Sequence, residues 1–157
     1  MTFSTIIYAG IAGTFFMTVF VEAIAWLLGK PFHVIRNLSH ILQFSSPAPQ
    51  KKKTLVFLLA TVLHYTIGVL FAFCFTWFLQ ADVLNCTFID SVSFGALAGT
   101  VGIIGWRVAF AIHPEPPRLN LWQYLALIWL GHLVFSIGLF VAYSNFGQTD
   151  WCDPIFK

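Results

Sequence analysis

Four ionisable side chains, Glu22, His64, Arg107 and His132, stand inside stretches apolar enough to cross a bilayer. Charged or titratable groups are costly in lipid, so where they occur they mark ligand, ion or proton sites. Each of the four belongs to a different apolar stretch. Counted at about 1.5 Å per residue, Glu22 lies roughly 12 Å from Lys30, and Arg107 a similar distance from Glu115. The same rise puts His64 roughly 16 Å from Lys53 and His132 about 18 Å from Asn120. One layer therefore holds all four. They are expected to converge in the interior, with Glu22 and Arg107 close enough to pair, because a shared site lowers every burial penalty.

Two kinds of chemistry fit this layer. A Glu22–Arg107 pair would serve a proton or ligand site. His64 and His132 would hold a haem iron or a transition metal between two helices running in the same direction. Glu22 added to them makes a carboxylate-plus-two-histidine set suited to zinc or iron. No His-Glu-x-x-His or Glu-x-x-His spacing occurs within one apolar stretch. His33, His40 and His113 fall in polar connections and read as surface residues. Thr14, Thr18 and Glu22 recur every four residues; Thr61, His64 and Gly68 share a face, as do His132, Ser136 and Tyr143. Arg107 is rotated toward Ser93 and Thr100, a position from which it can also snorkel to headgroups.

The elements that must carry these residues are four spans, at about 3–28, 55–79, 92–112 and 121–143, since about 20 residues cross the hydrocarbon. They predict an all-α membrane protein, a compact four-helix bundle forming a single domain over residues 1–157. Lys30-Pro31 closes the first span, Lys51 to Lys53 opens the second, and His113-Pro-Glu-Pro-Pro breaks the third from the fourth. At about 33–44, Val34, Ile35, Leu38, Ile41 and Leu42 recur at helical spacing, which predicts a short amphipathic helix lying in the interface. The stretch GALAGTVGIIGWR, Gly95 to Arg107, is rich in small residues that let helices approach closely, and is expected to be the central helix. A short internal echo links Ala12-Gly13-Thr14 to Ala98-Gly99-Thr100, and His64 and His132 are each followed by a glycine, Gly68 and Gly138.

Composition agrees. Only 9% of the 157 residues are charged and 59% are hydrophobic, with 18 Phe and 6 Trp. A soluble domain carries about 25% charged residues. The first span has no basic residue before it and contains Glu22, so it reads as a retained helix rather than a signal peptide. Basic residues favour the cytoplasm. Lys30, Arg36, Lys51, Lys52 and Lys53 share the first connection and Arg118 the third, whereas the second has Asp82 and Asp90 and neither Lys nor Arg. Both termini are thus expected outside, in the periplasm of a bacterial inner membrane, with Lys51, Lys52 and Lys53 on anionic headgroups. Cys86 and Cys152 then share the outer side and are expected to form a disulfide, leaving Cys74 reduced.

Three functions follow as expectations. The first is a non-catalytic subunit or assembly component, partnered by the lipid bilayer and other membrane subunits, with no nucleic acid. The second is a haem- or metal-binding electron-transfer protein linked to a quinone, using His64 and His132. The third is a small transporter or membrane enzyme built around Glu22 and Arg107.

Overall fold

The computed structural model describes residues 2–43 and 50–146. The described residues form five helices: α1 Phe3–Leu28, α2 Val34–Ile41, α3 Gln50–Gln80, α4 Phe88–Ile112 and α5 Leu121–Phe146. Four of them, all but α2, are long and apolar enough to span a membrane. The protein is an all-helical membrane bundle.

Local chemistry sets the helix ends. The Thr2 hydroxyl accepts from the Thr5 amide and starts α1. Gly29, with φ 58°, ends it, and the Lys30 amide then bonds back to the Ala25 carbonyl at 3.0 Å. The Thr87 hydroxyl caps α4 through the Asp90 amide, and the Asp90 carboxylate in turn accepts from the Asn85 amide at 2.9 Å. This pushes the start of α4 four residues earlier than hydropathy alone suggests. His113 precedes Pro114 and takes an extended conformation, which ends α4. Asn120 accepts from the Gln123 amide at the start of α5.

The packing order is α3–α1–α5–α4: α5 lies against both α1 and α4, and α1 against α3. Close approaches occur at glycines. A methyl group at Gly13 would lie 2.8 Å from the Phe135 carbonyl, and one at Gly10 would lie 2.7 Å from Val69 Cα. Along α4, Gly95, Gly99 and Gly102 all face α5, against His132 and Ser136, Trp129, and the His132 ring.

The central helix is α5, not the glycine-rich α4. Buried residues make up 61% of the apolar span of α5 but 22% of that of α4. A glycine stripe admits one close neighbour. A central helix instead needs side chains that fill space on two sides, and α5 supplies them: Ile128, Phe135, Leu139 and Tyr143 are all essentially inaccessible.

The core divides into two parts. One gathers Phe75, Phe94, Phe135 and Tyr143 near the α3–α4 connection, where Cys86 is also buried. The other gathers Val21, Phe32, Val34, Phe110 and Tyr124 near α2. The short helix is two turns long and packs on α3 and α1, with Val34 and Ile41 in the core. It closes one end of the bundle as well as bordering the interface. Cys152 lies outside the described residues, and the expected Cys86–Cys152 bridge with it; the Lys51 and Lys52 side chains lie outside them too. Lys53 is exposed, and so is Cys74, which is a free thiol.

Candidate functional site

Between the two halves of the core, at mid-depth, lies a cavity of about 320 Å³. It forms because the backbones of α3 and α4, at the two ends of the packing order, stay apart, with ring contacts of Phe75 and Phe78 on Phe94 joining them only near the α3–α4 connection. The walls are α3 (His64, Phe71) and α4 (Gly102, Gly105, Trp106), with α1 and α5 behind and Leu38 of α2 at one end. His64 and His132 both line it, and both are buried, at 8% and 7% exposure. Around them the lining is apolar, apart from Thr14 and the Trp106 indole.

The hydrogen bonds determine which nitrogen of each imidazole carries its proton. His132 Nδ1 sits 2.8 Å from the Ile128 carbonyl, which can only accept, so Nδ1 bears the hydrogen. In the neutral ring Nε2 is then a bare acceptor. Thr18 reaches the Thr14 carbonyl at 2.7 Å, so its only proton is used there. The same hydroxyl oxygen is 3.0 Å from His64 Nε2 and must accept from it. That leaves His64 Nδ1 as the acceptor. Neither His64 Nδ1 nor His132 Nε2 has a hydrogen-bond partner among the described residues. Thr14 donates to the Gly10 carbonyl at 2.7 Å, and its oxygen packs against Gly68 of α3. The alignment of Thr14, Thr18 and His64 depends on Gly68, because any side chain there would run into the Thr14 hydroxyl.

Of the four residues expected to meet, the structure therefore brings two together. Glu22 pairs instead with His33, whose Nδ1 lies 2.6 Å from its carboxylate. The αL turn at Gly29 folds the chain back so that His33, just before α2, meets the last turns of α1. Arg107 is exposed, with its guanidinium 5.2 Å from the centroid of the Trp122 ring, a cation–π contact. It lies about 120° around α4 from Gly95 at 100° per residue, well off the face that packs on α5. The Glu22–Arg107 pair is not formed, and Glu22 does not join His64 and His132. Among the described residues no group of three or more His, Cys, Asp or Glu is placed to hold a metal ion. Gly102 of α4 packs on the His132 ring, where a methyl group would lie 3.1 Å from Nε2 and 2.7 Å from Cε1.

The three loop histidines are not idle surface residues. His33 anchors Glu22. His40 Nε2 donates to the Glu115 carbonyl at 2.8 Å, and His113 Nε2 to the Gln43 carbonyl at 3.3 Å. The His40 and His113 rings lie 5.3 Å apart. Together they fasten α2 and its flanks to α1 and to the α4–α5 connection, closing the cavity at that end. The Pro-rich break after His113 was the sequence signal for this latch, because a rigid connection presents fixed carbonyls. No family model, curated protein or solved structure matches this chain.

Proposed function

We propose that this integral membrane protein is a small non-catalytic membrane component that holds an apolar ligand between α3 and α4, with His64 and His132 as its polar contacts. One observation carries the reading: two buried histidines from different helices, each with a free acceptor nitrogen, converge on one otherwise apolar cavity. Cavities of this kind, apolar with a few convergent polar groups, are the usual form of small-molecule sites. The gap between α3 and α4 gives a ligand a route from the surrounding lipid. The basic first connection supports an orientation with α2 and the Lys51 to Lys53 segment on the cytoplasmic side. The Cys86–Cys152 bridge belongs to the same proposal, on the opposite side. The exposed apolar faces of α1, α3 and α4 are where lipid, and partner subunits within it, would pack.

Gly105 provides the test. It lines the cavity, and a methyl group there would meet nothing within 4 Å. Gly105→Phe should therefore fill the cavity without disturbing the helix contacts. Native mass spectrometry of protein extracted in mild detergent should find a bound small molecule on the natural protein and none on the variant, with unchanged melting. A ligand retained by Gly105→Phe, or no ligand on either protein, would overturn the reading.

A further inference from the structure

The distribution of donors and acceptors in the cavity is one-sided. His64 and His132 each spend their proton on the protein, on Thr18 and Ile128 respectively. What they offer a ligand is lone pairs. Among the described lining residues, the Trp106 indole is the one side-chain donor to spare. An acceptor covered by an apolar ligand and left unpaired is costly, so the molecule that fits best brings its own hydroxyl hydrogens. A cationic donor such as an ammonium would have no carboxylate to meet, because Glu22 is held by His33 outside the lining. A neutral alcohol or phenol has no such cost. Aromatic surfaces surround the acceptors: Phe71 lies edge-on to the His132 ring at 5.7 Å and to Phe135 at 6.2 Å, with Trp106 on the facing wall. Edge and face contacts of this sort favour a planar ring. Entry through the gap between α3 and α4 suits a tail that stays in lipid.

We infer that the cavity binds the hydroxyl-bearing, reduced form of a lipid-soluble aromatic ring, a tailed phenol or hydroquinone, and discriminates against the quinone and the aryl ether of the same shape. This rests on the cavity reading above and adds the chemistry of the head group. His64 and His132 accept from the ring hydroxyls. A quinone presents only carbonyl oxygens, which face the two imidazole lone pairs with no hydrogen between them. A methyl ether keeps the ring and tail but loses the donor.

The experiment compares three probes of nearly equal shape in lipid nanodiscs holding the intact protein: a decyl-substituted hydroquinone, its dimethyl ether and the corresponding quinone. Equilibrium binding is read by calorimetry under anaerobic conditions. The hydroquinone should bind at least about tenfold more tightly than either of the others, the factor expected when a buried acceptor gains or loses its hydrogen bond. His64→Leu and His132→Phe, each shown by circular dichroism to keep its helices, should reduce that preference to about threefold or less. Equal binding of all three probes, abolished by Gly105→Phe, would overturn the head-group assignment and leave the cavity reading standing. A preference that survives in both histidine variants would overturn it as well. Binding unaffected by Gly105→Phe, or no binding of any probe, would overturn it and return the cavity reading to the mass-spectrometric test.

Discussion

Two glycines ten residues apart on α4 allow helix packing to be separated from helix propensity. Gly95 and Gly105 occupy the same helix, and Gly→Ala is the same chemical change at each. In a helix interior it is worth up to about 1 kcal/mol in favour of Ala. At Gly95 the new methyl would lie 2.8 Å from the His132 carbonyl and 2.9 Å from Ser136 Cβ, and it would run into the Ser136 hydroxyl. The first of these is backbone, so α4 and α5 would have to part. Overpacking of this kind costs about 1–3 kcal/mol. At Gly105 no atom lies within 4 Å of the methyl. That residue is turned about 80° from the Gly95 direction at 100° per residue. The propensity gain is common to both variants and cancels in their difference. Gly105→Ala should therefore be more stable than Gly95→Ala by about 1–3 kcal/mol. Unfolding in mixed micelles of rising denaturing-detergent content, followed by circular dichroism, measures that difference. Coincident midpoints would refute the close α4–α5 approach, and with it the orientation of the His132 ring toward the cavity.

Other consequences follow from the polar contacts. Thr18→Val should cost about 1–3 kcal/mol, because it leaves the His64 Nε2 hydrogen buried without an acceptor, and much less in a His64→Leu background; equal costs in the two backgrounds would discount the bond. A double-mutant cycle should find a coupling of up to about 1 kcal/mol between Glu22 and His33, modest because both are partly exposed, and none between Glu22 and Arg107. The reverse result would restore the Glu22–Arg107 pair. Hydrogen exchange should show α2 loosening in His33→Ala while α5 stays protected. Thiol counting on denatured, unreduced protein should find one free cysteine of the three, and a cytoplasmic reporter after Lys157 should be inactive. Three free thiols or an active reporter would remove the outer-side placement of Cys86 and Cys152.

The sequence by itself determined what depends on one helix at a time. Span number and approximate limits follow from the length of apolar runs, because each helix must satisfy its own backbone in lipid whatever surrounds it. The expected 3–28 became Phe3–Leu28, and the expected 121–143 became Leu121–Phe146. At 55–79 the helix runs Gln50–Gln80, because polar residues at a helix end extend it beyond the hydrocarbon. The shared level of His64 and His132, expected because rise per residue is constant, agrees with their lining one cavity, whereas Glu22 and Arg107 do not line it. What depth leaves open is direction. Glu22 met His33 because a left-handed turn at Gly29 and a two-turn helix folded the chain back over α1. Arg107 met Trp122, in the first turn of α5, from a side of α4 turned away from its glycine face. The glycine stripe marked α4 as able to approach a neighbour, but the choice of neighbour, and the central place of α5, depended on side-chain volumes from three helices at once. The cavity is the clearest case. It exists because α3 and α4 stand at opposite ends of the packing order, a relation between helices that no single span encodes. Tertiary structure also assigned each histidine its free nitrogen, through Thr18 on a neighbouring helix for His64 and through a carbonyl one turn back for His132.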